Sequence, residues 1–333
     1  MVTILIKSFN RPHYLDRCLQ SICQNVSGEY SIKIVDDGTP GKYLDLIQRK
    51  FPQIEILFTE SYQEKSQQIE NQIAVKRSIP SKDWYKTVQS STDYILVIED
   101  DVWFTDKVDF DRVVADMQQH LISLLRLGWN GFPAQNQTMK VSDQIIDEQV
   151  KVFSLNSYII NWLFANRYKF YSILKKLKII EPRGFERYYH FISISSGIHR
   201  KEYWLKTWEN MPNTINEKKQ IKNAIAYYKT YRTQNFITRY HKEIIKTTFK
   251  SSATNMGHEY GNRLDVNRFN HILNKAWYNG EFDSMENYPK DFSDNYIKQF
   301  LDKAKDAHAL YEDWINWSEK FKQQYRNLGA QVE

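Results

Sequence analysis

The sequence is poor in the residues that loosen or cross-link a chain. It has 11 Gly and 8 Pro in 333 residues, too few for long flexible linkers. Its two cysteines, Cys18 and Cys23, fall in one predicted helix at a spacing that matches no zinc or redox pattern. They read as small buried hydrophobes in a protein of a reducing compartment. No apolar run approaches the ~20 residues that span a bilayer. Met1-Val2-Thr3-Ile4 opens directly into a strand rather than a leader, so the expected location is cytoplasmic, with room for peripheral contact at the inner membrane face. Excess charge is also small: 46 Lys and Arg against 40 Asp and Glu, a net +6. That suits a polyanionic ligand or an anionic membrane surface and is mild for a nucleic-acid binder.

What remains is a globular composition, 41% hydrophobic and 26% charged, long enough for one large α/β domain with additions. Strand and helix patterns alternate from the start. Residues 2–7 read as a strand, 8–12 as a loop with Pro12 suited to a first helical turn, and Tyr14, Leu15, Cys18, Leu19, Ile22 and Cys23 recur at helical spacing. Residues 31–35 and 54–58 are further strands, with a helix over 43–51. Residues 61–91 read as polar helix broken at 79–81, carrying Lys76, Arg77, Lys82 and Lys86. A strand follows at 94–98 and a helix over 110–127. This alternation argues for a parallel sheet built by right-handed crossovers. Later, 150–156 is a candidate strand, and 162–178 an aromatic and basic helix able to pack in the core or lie on a membrane surface. Residues 246–263 form a Gly-, Ser- and Asn-containing functional loop. A helical tail over 292–325 carries an aromatic stripe that fits a core or a homodimer contact.

The chemistry concentrates at Ile95-Leu96-Val97-Ile98-Glu99-Asp100-Asp101. Four apolar residues read as a strand buried on both faces. Its end is where ligands bind in parallel α/β sheets. Three adjacent carboxylates are costly unless a cation or bound protons relieve them. A hard divalent ion, Mg²⁺ or Mn²⁺, is the natural relief and keeps positions open for a phosphorylated substrate. A solvated acidic turn is the plainer account. A second acidic strand end, Asp36-Asp37-Gly38, lies upstream.

Together these stretches resemble the GT-A-fold glycosyltransferases of the family-2 type. Thr3 to Pro12 looks like their first strand and nucleotide loop, Ile34-Val35-Asp36-Asp37-Gly38-Thr39 like their second strand end, and Ile98-Glu99-Asp100-Asp101 like a Glu-Asp-Asp variant of their Asp-x-Asp motif. The resemblance implies a GT-A-like, mostly parallel sheet flanked by helices, with a helical C-terminal extension. It divides the chain into a nucleotide-sugar-binding half over 1–127, an acceptor side with a closing loop over 128–265, and an extension over 266–333. It implies a metal-dependent, inverting transfer of a hexose from a nucleoside-diphosphate sugar, uridine-linked, to a glycan or lipid-linked acceptor in surface polysaccharide synthesis.

On that resemblance Asp101 is the metal ligand, with His258 a second one from the late loop. Asp100 touches the ribose or ion, and Glu99 lies nearer the sugar. Asp36 or Asp37 accepts from the base. Ser8, Asn10 and Arg11 line base and phosphates, and Arg77 and Lys250 reach the diphosphate. Ser195-Ser196-Gly197-Ile198 looks like the acceptor-side strand. An inverting transfer needs a carboxylate base, and the family's late acidic pair is missing; Glu217, Glu209 and Glu186 are the candidates. Two rivals remain. A metal-dependent nucleotidyltransferase would carry a Gly-rich basic phosphate loop, which Ser8-Phe9-Asn10-Arg11 is not. A non-catalytic nucleotide- or carbohydrate-binding protein on the same fold fits the missing pair.

Overall fold

The computed structural model describes residues 1–73, 75, 78–131, 138–148, 169, 172–173, 176–177, 191–192, 196–211, 213, 215–231, 236–253 and 263–332. The opening is the alternation expected: β1 (Val2–Ser8), α1 (Pro12–Asn25), β2 (Val26–Ser27), β3 (Tyr30–Asp36), α2 (Gly41–Lys50), β4 (Glu55–Phe58), α3 (Tyr62–Glu70), α4 (Ser81–Gln89) and β5 (Tyr94–Glu99). There follow β6 (Val102–Phe104), β7 (Val108–Asp109), α5 (Phe110–Gln119), β8 (Leu124–Arg126), β9 (Thr138–Lys140) and β10 (Ile145–Glu148). The later part holds β11 (Gly197–Arg200), α6 (Lys201–Thr207), α7 (Glu217–Thr230), β12 (Ile237–Tyr240), β13 (Ile245–Thr247), α8 (Val266–Tyr278), α9 (Asp294–Ala304) and α10 (Tyr311–Leu328).

Among the described residues the main sheet has nine strands in the order β4-β3-β1-β5-β11-β8-β12-β10-β9. Only β11 and β10 run against the rest, so the sheet is mostly parallel. The chain leaves β1 for β3 and β4 on one side, then returns to seat β5 on the other. Strand order therefore reverses at β1, the point where open α/β sheets bind ligands beyond their carboxyl ends. Register aligns Ser8 with Asp36 and Lys7 with Glu99. Three loops consequently leave the sheet side by side: Phe9–Arg11, Asp37–Thr39 and Asp100–Asp101.

Three expectations change. The helix over 110–127 stops at Gln119, because Leu121 takes a left-handed conformation (φ 54°). The rest of that apolar run, Leu124 and Leu125, is fully buried as β8 between β11 and β12; a short apolar run carries both periods. The tail is two helices, interrupted where Lys305 turns left-handed (φ 52°). Cys18 is buried as expected, but Cys23 is exposed on the solvent side of α1. The candidate strand 150–156 and most of 162–178 lie outside the described residues.

The C-terminal helices share the main core rather than forming an appendage. Phe269, Leu273, Trp277, Phe292, Ile297, Trp314 and Trp317 belong to one buried cluster with β1 and α1. Asp16 on α1 shows how they are joined. Its carboxylate accepts from Trp277 Nε1 (2.7 Å), Ser284 Oγ (2.8 Å) and the Lys50 ammonium. Trp314, fully buried, stacks on Phe269 and donates its indole N–H to the Lys250 carbonyl (2.8 Å).

Trp314→Ala is therefore expected to cost about 3–5 kcal/mol of global stability, the range for emptying a buried aromatic site, read by denaturant unfolding. A loss below about 1 kcal/mol would show that α10 is not part of the cooperative unit.

Candidate functional site

Two of the three loops carry the charge. Arg11, 2% exposed, reaches from the loop after β1 into the acids after β5. Its guanidinium pairs with Asp100 Oδ1 through Nη2 and with Asp101 Oδ2 through Nη1 (2.6 Å). The Phe9 N–H donates to Asp100 Oδ2 (3.0 Å). Lys7, the one charge inside β1, pairs with Glu99 (2.8 Å) and lies over the Trp84 ring. Glu99 is the most open of the three acids, with 42% of its side chain exposed.

The cluster thus brings three carboxylates against two cations, and 3 − 2 leaves one negative charge. The electrostatics follow. Burial opposes the Arg11 charge, but Asp100, Asp101 and Glu99 outweigh it and hold its pKa above the ordinary value. Lys7 keeps Glu99 low, against burial. Asp101 goes up: burial raises it, Arg11 resists, and the neighbouring Glu99 and Asp100 add repulsion. Asp101 Oδ1 is also buried without a hydrogen-bond partner among the described residues. One unpaired hard oxygen beside a surplus negative charge fits a divalent cation that takes its other ligands from phosphates and water. Among the described residues no group of three or more His, Cys, Asp or Glu is arranged to hold a metal by protein ligands alone.

The third loop is tied inward. Asp36, fully buried, accepts from Ser8 Oγ (2.7 Å), Thr39 Oγ1 (2.7 Å), Gly38 N (3.0 Å) and Thr39 N (2.7 Å). Thr39 Oγ1 in turn accepts from Asn10 N (2.8 Å). Asp37 accepts from Thr59 (2.6 Å), Ser61 (2.8 Å) and the buried Lys65 ammonium. Gly38 (φ 142°) lets the turn pass against Lys65, whose Cβ would lie 2.7 Å from any Cβ placed there. Asp36 and Asp37 therefore build the loop wall.

The late loop reaches the acids in part. β13 pairs with β6, and the Thr248 N–H donates to the Asp101 carbonyl (3.3 Å). Lys250, expected over the diphosphate, is held instead by Asp294 (2.7 Å) and the Phe292 carbonyl (2.8 Å). The start of β11 also lies at this edge, Gly197 opposite Val97, with Ser196 Oγ donating to the Gly128 carbonyl (3.0 Å). Glu217 opens α7. The turn before it, at Met211 and Asn213, contacts Ile79–Lys82 at the start of α4. Glu209 pairs with Lys206 beyond the end of α6. His258, Arg77 and Glu186 lie outside the described residues.

Lys7, Lys65, Thr39, His13 and Asn274 were not singled out from sequence. Lys7 left a signal, a cation in an otherwise apolar buried strand; Lys65 and Asn274 sit in ordinary helical patterns and left none. A cleft of about 510 Å³ lined by Asp93, Tyr94, Met117, Arg200, Lys201 and Glu202 opens at the amino-terminal end of β5, the wrong edge for the strand-end chemistry.

The sequence matches no family model and no curated relative. Among solved structures it is similar to S. aureus TarS residues 1–349 in complex with UDP, at TM-score 0.46 and 11% identity over 91% of this chain and 71% of that one. The same TarS region in complex with UDP-GlcNAc gives 0.44 and 13%, over 98% and 91%. Glucosyl-3-phosphoglycerate synthase from Mycobacterium tuberculosis, with Mn²⁺, UDP and glucosyl-3-phosphoglycerate, gives 0.39 and 12%, over 86% and 82%. These are distant likenesses.

Burial raises the Asp36 carboxyl from 3.8 to about 6, against its four hydrogen bonds. The folded chain then keeps a proton that the unfolded chain releases, so this group makes stability fall as pH rises from about 4 to 6. Against Asp36→Asn, which does not titrate, the wild type is expected to lose up to about 3 kcal/mol across that window. Urea unfolding of both proteins at its two ends checks this, and parallel slopes would mean Asp36 is ionised throughout.

Proposed function

We propose that this chain is a metal-assisted glycosyltransferase that moves a sugar from a uridine-diphosphate donor to a glycan or lipid-linked acceptor, as in surface polysaccharide synthesis. One observation carries the reading. At the point where strand order reverses, a buried acid cluster is left one positive charge short, and the unpaired oxygen belongs to Asp101. A leaving nucleoside diphosphate adds negative charge at that point, so the site needs a cation when donor is bound. Asp101 would hold a divalent ion, Mn²⁺ or Mg²⁺, which as a Lewis acid stabilises the departing diphosphate.

This chain's own groups supply the rest. Arg11 fixes the orientation of Asp100 and Asp101. Glu99, paired with Lys7 and half open, is the acid best placed to reach a sugar hydroxyl. The Asp36–Thr39–Asn10 chain of hydrogen bonds holds the nucleotide loop against the second strand end. For the base that takes the acceptor proton in an inverting transfer of a hexose, Glu217 is our assignment among Glu217, Glu209 and Glu186. The contacts of the preceding turn with the start of α4 support it, because α4 runs back along the sheet from the edge where Lys65 binds both Asp37 and the Ser78 carbonyl.

A second reading has its own support. Lys7 and Arg11 already satisfy most of the acid cluster, as in a structural ion network, and a non-catalytic nucleotide-binding protein would keep that network. Among the described residues no helix is long and apolar enough to cross a membrane; membrane contact, like a homodimer, stays within the proposal.

Calorimetry with uridine diphosphate is expected to show binding that strengthens at least tenfold with Mn²⁺ over chelator. Asp101→Asn should remove that metal dependence with the fold kept by circular dichroism. Metal-dependent binding that survives in the variant would remove Asp101 from the metal site, and no binding by wild type in either condition would overturn both nucleotide readings and leave the acid cluster as a structural ion network. Glu217→Gln is expected to lower transfer by 10²-fold or more, the scale of general-base loss, with donor affinity unchanged. Full transfer in that variant would pass the role to Glu209 or Glu186.

A further inference from the structure

Asn10 sits in the loop after β1 in a left-handed conformation (φ 51°), and it is 1% exposed. Its side chain is held from far along the chain. Asn274 Nδ2, on α8, lies 3.0 Å from the Asn10 backbone carbonyl and 3.0 Å from Asn10 Oδ1. A carbonyl can only accept, so the Asn274 atom facing it must be the amide nitrogen. The other end of Asn274 is then an oxygen, and it meets His13 Nδ1 at 2.8 Å. That oxygen can only accept, so His13 must carry its proton on Nδ1. The imidazole is neutral, because burial among Tyr14, Phe282 and Phe292 lowers its pKa to about 3. It therefore has no second N–H, and Nε2 is accordingly a bare acceptor without a partner among the described residues.

The same logic reaches Asn10. Its oxygen is the atom turned toward Asn274, so its Nδ2 is turned away. Asn10 Nδ2 is buried and meets no acceptor among the described residues. A buried donor left unmade is costly, and this orientation is imposed rather than chosen locally. Asn10 stands next to Arg11, which enters the acid cluster, and its own N–H is bound to Thr39.

We infer that His13 and Asn274 are positioning residues that hold the Asn10 amide as a ready donor for an acceptor oxygen of the nucleotide, a role that rests on the nucleotide-binding reading of these strand ends. His13 Nδ1–H donates to Asn274 Oδ1, Asn274 Nδ2–H donates to Asn10 Oδ1, and Asn10 Nδ2–H₂ is left for the ligand. At 1% exposure Asn10 is reached only after what covers it moves aside. The amide is then already oriented, and no side-chain freedom is lost at that moment.

The test uses the full chain and uridine diphosphate with Mn²⁺. Asn274→Asp keeps the size of the side chain but offers two acceptors. In its ionised form it has no N–H for the Asn10 carbonyl or Oδ1, which favours Asn10 turning its Nδ2 toward residue 274 and losing the free donor. Uridine diphosphate affinity is expected to fall about tenfold, the scale of one hydrogen bond. Asn10→Gly keeps the left-handed backbone, removes the amide, and should cost a similar factor. In the Asn10→Gly background, where only the contact with the backbone carbonyl of residue 10 remains, Asn274→Asp should cost clearly less affinity than in wild type. Equal losses in both backgrounds, or unaltered affinity in Asn274→Asp, would overturn the relay. A second readout needs no ligand: ¹⁵N shifts, with the His13 signals identified by their loss in His13→Gln, should place the proton on Nδ1. A proton on Nε2 would break the chain of donors and overturn the inference. If wild type bound no uridine diphosphate while His13 carried its proton on Nδ1, the nucleotide reading would fall and the oriented amide would stand.

Discussion

The buried contact of Arg11 with Asp100 and Asp101 is the interaction on which the rest depends. β1 and β5 are neighbours in parallel register, so their carboxyl ends open onto the same space. Each would otherwise leave a costly group there: an isolated guanidinium after one strand and two adjacent carboxylates after the other. Brought together, they satisfy most of each other's charge at a depth where the carboxylates would otherwise be driven to take up protons and the guanidinium would lie buried and unpaired. The bond also fixes geometry, since a two-pronged guanidinium holds both carboxylates in one orientation. The remaining imbalance of one negative charge is spread over the cluster, and the oxygen left unpaired among the described residues is Asp101 Oδ1.

Around this pair the fold supplies support from three directions. Asp36 gathers donors from the first and second strand loops and so ties Asn10 to the turn at Gly38–Thr39. Lys65 on α3 does the same for Asp37 and the Ser78 carbonyl. From the far end of the chain, α8 brings Asn274 to Asn10 and Trp277 to Asp16. The C-terminal helices are thus part of the wall of the site as well as of the core. A loop held from several elements is rigid in the way a binding site requires.

The charged strand ends of the candidate site are legible because their residues come in short runs. Asp36-Asp37-Gly38 and Glu99-Asp100-Asp101 each follow an apolar strand pattern, and a parallel sheet sends such ends to one edge. Arg11 is expected at the same edge, lining base and phosphates, and in the folded chain it pairs with the acids. What failed to show has a common cause. Lys65, His13 and Asn274 act across separations in sequence of up to 264 residues, and helical spacing is satisfied equally whether such a residue faces solvent or a partner. The helix read over 110–127 failed for a related reason: Leu124 and Leu125 fit a helical stripe as well as a strand, and only their seat between β11 and β12 decides.

The sequence by itself therefore determined the alternating α/β layout of the first hundred residues, the strand ends that carry acids, and the lack of any long apolar span, because these rest on local period and composition. Tertiary structure alone decided how the charges pair. That Asp101 gives one oxygen to Arg11 and keeps the other unpaired depends on where Arg11 lies in space. Whether Asn10 presents its oxygen or its nitrogen depends on a helix that begins more than 250 residues later. Electrostatic pairing and amide orientation are properties of distance and burial, and local sequence does not encode either.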